Sequence, residues 1–178
     1  MNATLRWLAR IRDICLLRAG PQDLPYAPRL LVVLLVAGAI VEAAFDLGRG
    51  AAVRLVIAAN LGTLAALGVL SLLLRWRRKP ERFVQTTLAL LATSLLFEVA
   101  VLPLLLVVGQ PTDPKSVTGT QMIAGLVLFA LVVWLAGIGA NILRQALEIP
   151  LAGGVLVLLL TGFADLFAAA LAAALLGA

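Results

Sequence analysis

Histidine is absent from the chain, and cysteine occurs once, at Cys15. Without imidazole, neither a Ser-His-Asp nor a Cys-His nucleophile can be activated. Structural zinc, which takes four Cys or His ligands, is excluded with them, as is any disulfide within the chain. Charge is also scarce: Asp, Glu, Lys and Arg make up 13% of 178 residues, against about a quarter in an ordinary soluble domain. Hydrophobic residues make up 63%, and a soluble domain of about 150 residues still leaves roughly 30% of its chain surface wet. The excess apolar surface must face lipid.

Apolar runs long enough to cross a hydrocarbon layer of about 30 Å, which takes roughly 20 helical residues, occur near 28–47, 52–74, 84–108, 121–146 and 151–177. No run alternates polar and apolar residues as a barrel strand does, and backbone groups in lipid need partners within their own segment, so each run predicts a helix. Gly48-Arg49-Gly50, the basic stretch 75–82, Gln110-Pro111-Thr112-Asp113-Pro114-Lys115 and Glu148-Ile149-Pro150 separate them. The expected fold is all-α: a polytopic transmembrane helical bundle of five spans, preceded by an amphipathic interfacial helix. Residues 1–27 form a cytoplasmic amphipathic helix and proline-rich link, and 28–178 the five-helix transmembrane domain.

Lys and Arg segregate. Five precede the first span or, as Arg29, stand at its start, two follow it, five follow the second span, one the third and one lies near the end of the fourth. Alternate segments thus hold 5+5+1 = 11 against 2+1+0 = 3, which by the positive-inside rule puts the N-terminus in the cytoplasm and the C-terminus outside. Topology and anionic headgroups account for the net charge of +5 better than nucleic acid does. Arg6, Arg10, Arg75, Arg77, Arg78, Lys79 and Arg82 are the expected headgroup contacts. Residues 3–18 are not a cleavable signal, because Arg10, Arg12 and Asp13 interrupt the apolar stretch. Trp7, Leu8, Ile11, Ile14 and Cys15 recur at helical spacing on one side. That stripe suits a helix lying on anionic lipid or, alternatively, a docking surface for a soluble partner.

Three carboxylates fall inside spans, Glu42, Glu98 and Asp165, and each would cost about 2.5 to 3.5 kcal/mol if charged and lipid-facing. At about 1.5 Å per residue, these three and Asn60 share one slab near the midplane, on four different helices. They form the candidate intramembrane polar cluster, either a proton, cation or polar-substrate site or hydrogen-bonded carboxyls that join helices. Gly38, Glu42 and Asp46 make a row at steps of four, as do Ala58, Gly62 and Ala66, a small-residue face that lets a partner helix approach. Arg54 is placed to pair with Asp46 or Glu42 across the Gly48-Arg49-Gly50 loop. Pro103 deprives a carbonyl near Glu98 of its donor. Arg144 and Glu148 suggest a local i, i+4 pair, and Gly125, Gly137, Gly139, Gly153 and Gly154 read as helix contacts. Gly162-Phe163-Ala164-Asp165 lacks the second glycine of the intramembrane aspartyl protease signature, and no phosphate-binding glycine loop is present. No catalytic residue, metal or cofactor is expected.

Arg82-Phe83-Val84-Gln85-Thr86 leading into an Ala/Leu-rich span with Pro103, and Trp134 to Ala146 followed by Pro150 and a Gly-rich span, resemble the Yip family of small five-span membrane proteins over about 25–177. The resemblance implies a non-enzymatic protein that organises other membrane components; eukaryotic members, which carry a long cytoplasmic N-terminal domain lacking here, act in vesicle traffic with small GTPases. The expectation is therefore a non-enzymatic protein with a structural, assembly or accessory role in a bacterial cytoplasmic membrane, in contact with anionic lipid and with a membrane-protein partner or a second copy. The alternative is a small proton- or cation-linked carrier or channel subunit using the intramembrane carboxylates.

Overall fold

The computed structural model describes residues 3–48, 50–108 and 118–177, and every regular element among them is helical. Helix α1 spans Ala3–Cys15, α2 Pro28–Gly48, α3 Val53–Trp76, α4 Phe83–Val108, α5 Gly119–Leu147 and α6 Leu151–Leu175. The last five are long and apolar enough to span a membrane. Leu126 and Phe129 on α5 and Leu156, Phe163 and Leu166 on α6 stay exposed, a surface that only an apolar solvent accommodates. This is a multi-pass membrane protein.

Helix ends follow local chemistry. Pro28 opens α2, where its missing N–H is not needed. Arg78 takes a left-handed φ of 58° beyond α3, and Pro80 starts a short 3-10 turn that leads into α4. Glu148 adopts φ 52° and ψ 55° at the end of α5, and the Ile149 N–H reaches back to the Arg144 carbonyl at 3.0 Å, which turns the chain sharply into α6.

The helices pack in the order α2, α4, α5, α6, α3, while α3 touches α2 and α4 only lightly. Helix α3 is held instead by α6. Gly62, in the middle of the small-residue row, allows it: a Cβ there would lie 2.5 Å from the Asp165 carbonyl oxygen and 3.0 Å from the Ala169 methyl. Gly154 likewise admits the α5 backbone at Ala140, and Gly139 faces Leu158. Gly125 and Gly137, expected as contacts, face open space, and Gly153 meets only the neighbouring Ile149. These three glycines lie on sides of their helices that no other helix covers.

Two buried clusters lie at one end of the bundle. Ile11 and Ile14 of α1 join Leu24, Leu31, Leu88, Ala89, Ala92, Ile138 and Ile142 in the first. Leu70, Leu74, Leu143, Ala146 and Leu147 form the second, where the ends of α3 and α5 meet. The apolar stripe of α1, apart from the exposed Leu8, thus packs on α4 and α5 of its own chain, which corrects the reading of a stripe wholly laid on lipid or reserved for a soluble partner. The Trp134 indole donates to the Cys15 carbonyl at 3.1 Å and fastens the end of α1. The link after α1 contains a 3-10 turn at Pro21–Asp23. It is tied down by Gln85 Nε2 on the Leu24 carbonyl at 2.6 Å and by Gln22 Nε2 on Gln145 Oε1 at 3.0 Å.

Candidate functional site

Where α3 stands off α2 and α4, a cavity of about 610 Å³ opens between the three helices. Helix α2 contributes Leu35, Gly38, Glu42 and Phe45, and α4 contributes Leu91, Ser94, Glu98, Val101, Leu102 and Leu105, each set spaced by three and four so that one face of the helix is presented. Asn60 and Thr63 come from α3. Two carboxylates, an amide and two hydroxyls therefore converge inside walls of Leu, Val, Ala and Phe. Among the described residues no Lys or Arg lines the space, and Glu42 and Glu98 both reach it. Glu98 is exposed and Glu42 partly so. Asn60 Nδ2 is turned back onto its own helix, donating to the Val56 carbonyl at 2.9 Å.

Three of the four residues expected to share a slab are thus brought together, Glu42, Asn60 and Glu98, but Asp165 is not with them. At about 100° per residue, Ala58 and Gly62 lie on the opposite side of α3 from Asn60 and Thr63, and α6 follows the small-residue side. Asp165 lies half-buried at the α3–α6 contact, with Oδ1 itself buried and, among the described residues, without a hydrogen-bond partner. Thr63, which the sequence reading did not single out, lies beside the Asp165 carboxyl and also lines the cavity. Its place three residues after Asn60 was the available signal. The Asp46 side chain, and with it the expected Arg54–Asp46 pair, lies outside the described residues. Among the described residues no group of three or more His, Cys, Asp or Glu is arranged to hold a metal ion.

The basic stretch 75–82 is engaged by the protein. Arg82 Nη1 donates to the Gln145 and Ala146 carbonyls at 3.2 Å, and Nη2 reaches Glu148 Oε1 at 2.8 Å. Arg77 donates to the Leu147 and Glu148 carbonyls at 3.3 Å, and Lys79 pairs with Glu148. Of these three cations, expected at headgroups, Arg77 and Arg82 satisfy the open carbonyls at the end of α5 and Lys79 neutralises Glu148. Arg6, Arg10, Arg75 and Arg78 remain exposed. The expected Arg144–Glu148 pair does not form, because the left-handed Glu148 lies outside the helix whose i, i+4 geometry that pair requires.

Lys79 and Arg82, by hydrogen bonding and by charge, hold the Glu148 carboxyl below the usual carboxylate range. A carboxyl lowered on folding stabilises the fold above its unfolded value, and the contribution is lost as pH falls through the lowered one. Melting temperature in detergent should therefore drop on acidification below the ordinary Glu range, and Glu148→Gln should flatten that part of the profile. An identical acid limb in the variant would remove Glu148 from the account.

No family model, curated protein or solved structure matches the chain. The resemblance to the Yip family rests on the residues quoted above alone.

Proposed function

We propose that this chain is a small cation-linked carrier or channel subunit, non-enzymatic and resident in a bacterial cytoplasmic membrane. The observation that carries the proposal is the convergence of Glu42 and Glu98, from separate helices, on one apolar-walled cavity. Acids inside a membrane mark ion paths and relays, and an oxygen-lined space between two carboxylates suits a proton or another cation. The Lys and Arg distribution supports a cytoplasmic N-terminus. The exposed Arg6, Arg10, Arg75 and Arg78 suit anionic headgroups on that side. Extreme Ala, Leu and Arg usage supports the bacterial assignment. A structural or accessory role is the second reading. It is favoured by Asp165, which sits inside a helix contact, and by the Yip-like segments.

Reconstitution separates the two. Liposomes carrying the protein should pass protons or alkali cations down an imposed gradient. Glu98→Gln and Glu42→Gln should each slow the flux by about tenfold or more, the effect of losing roughly 1.4 kcal/mol of charge interaction. Absent flux, or flux indifferent to both changes, would leave the accessory role standing.

A further inference from the structure

We infer that the ligand of the α2–α3–α4 cavity is an amphiphilic organic cation, one ammonium- or phosphonium-type charge on an apolar body, which enters sideways from the bilayer. The inference rests on the reading that this site takes a cation, and names the kind.

Size is the first argument. At about 30 Å³ per water, 610 Å³ holds roughly twenty waters, far more than a bare inorganic ion and a partial shell occupy, and within the range of about 300 to 1,000 Å³ typical of organic-ligand pockets. The donor set agrees. Hard cations take about six to eight oxygens in a close shell, whereas the oxygens here are dispersed over three helices and, among the described residues, no metal-holding group forms. Most of the wall is aliphatic, as at Leu35, Leu91 and Leu102, and meets an apolar body rather than a hydrated ion.

Charge is the second argument. Glu42 and Glu98 reach the same space from two helices, and a cationic group is the occupant that carboxylates in an apolar-walled cavity attract.

Entry is the third. Toward α1 the cavity is closed, because Leu35 and Leu91 belong both to its wall and to the cluster around Ile11, Leu31, Leu88 and Ile138. Toward the side it is open. Val36 and Leu64, both lining it, are 54% and 57% exposed, and each lies within about two residues of its helix midpoint, at acyl-chain depth. An amphiphilic cation already partitioned into lipid reaches that mouth; a hydrated ion does not.

The test uses the full chain in lipid nanodiscs with tetraphenylphosphonium as probe, measured by equilibrium dialysis against empty discs, and tetraphenylborate as the anion of the same shape. Saturable phosphonium binding is expected, weakened at least tenfold by Glu98→Gln, with no matching borate site. Gly38 supplies an independent variant: it lines the cavity, and a Cβ on it meets nothing within 4 Å. Gly38→Phe should fill the space and abolish binding while the melting temperature holds. Equal uptake of both probes, the result for a groove filled by acyl chains, would overturn the inference, as would phosphonium binding unchanged in Glu98→Gln and Gly38→Phe. Saturation blocked by self-association through the mouth would assign the groove to a second copy and overturn it too. The two readings fail separately. Alkali-cation flux that needs Glu98 without phosphonium binding sinks the ligand class and keeps the carrier; Glu98-dependent binding without flux sinks the carrier and keeps the ligand.

Discussion

Replacing Ile14 by Asp will detach α1 from the bundle, and the native thiol of Cys15 will report it. Ile14 is fully buried among Leu24, Leu88 and Ile142. Truncating a buried isoleucine costs about 2 to 5 kcal/mol, and a carboxylate in the same place adds an unpaired charge. The loss falls on α1 alone, since the five spanning helices keep their own contacts, so local release precedes global unfolding. Two kcal/mol corresponds to roughly 30-fold in the docking equilibrium. Cys15 lies half-buried at the end of α1, where burial pushes its thiol up and so depletes the reactive thiolate near neutral pH. On release the thiol returns toward its ordinary value. Alkylation by a maleimide at pH 7.5 should therefore accelerate at least tenfold in Ile14→Asp and change little in Leu8→Asp, because Leu8 is exposed. Equal rates in Ile14→Asp and the unaltered protein would show that α1 is not held by this contact.

Gly62→Ala will destabilise the bundle, whereas Gly68→Ala, on the same helix, will not. A methyl at position 62 would meet the Asp165 carbonyl oxygen at 2.5 Å and Oδ1 at 2.7 Å. The first is backbone and cannot turn aside, so α3 and α6 must separate, at a cost of about 1 to 3 kcal/mol for an overpacked contact. At Gly68 the added methyl meets nothing within 4 Å, and Ala is the better helix former by about 1 kcal/mol. Unfolding in mixed micelles should show a clear loss for the first and none for the second. Were Gly62→Ala as stable as its parent, the close approach of these two helices would not be a feature of the folded protein.

How much of this was legible depends on whether the information is one-dimensional. A run of apolar residues is its own evidence for lipid: the span expected near 151–177 is the helix Leu151–Leu175, and the one near 121–146 is Gly119–Leu147. The stripe of Ile11 and Ile14 announced an apolar face, but such a face is satisfied equally by lipid and by another helix, and the choice of α4 and α5 is a tertiary fact. Ala58 and Gly62 announced a close partner without naming α6. Depth was readable from counting residues, which placed Asp165 level with Glu98; azimuth was not, because it depends on which face of α3 each neighbour takes. Arg82 and Lys79 are distant from Glu148 in sequence, so a pairing argument confined to i, i+4 neighbours found Arg144 instead. Glu42 and Glu98 were visible as acids in oil, but their shared cavity required three helices to be set side by side.

Helix α3 leans on a partner made long after it. Protein synthesis delivers segments from the N-terminus onward, and 80 residues separate the start of α4 from the middle of α6, all of which must be made before Gly62 finds Asp165. Until then nothing fixes the spacing of α3 from α2 and α4 beyond their light mutual contact. The final span contributes no residue to the cavity lining, yet the width of that space is decided by it, so the shape of the cavity is the last property the nascent polypeptide acquires.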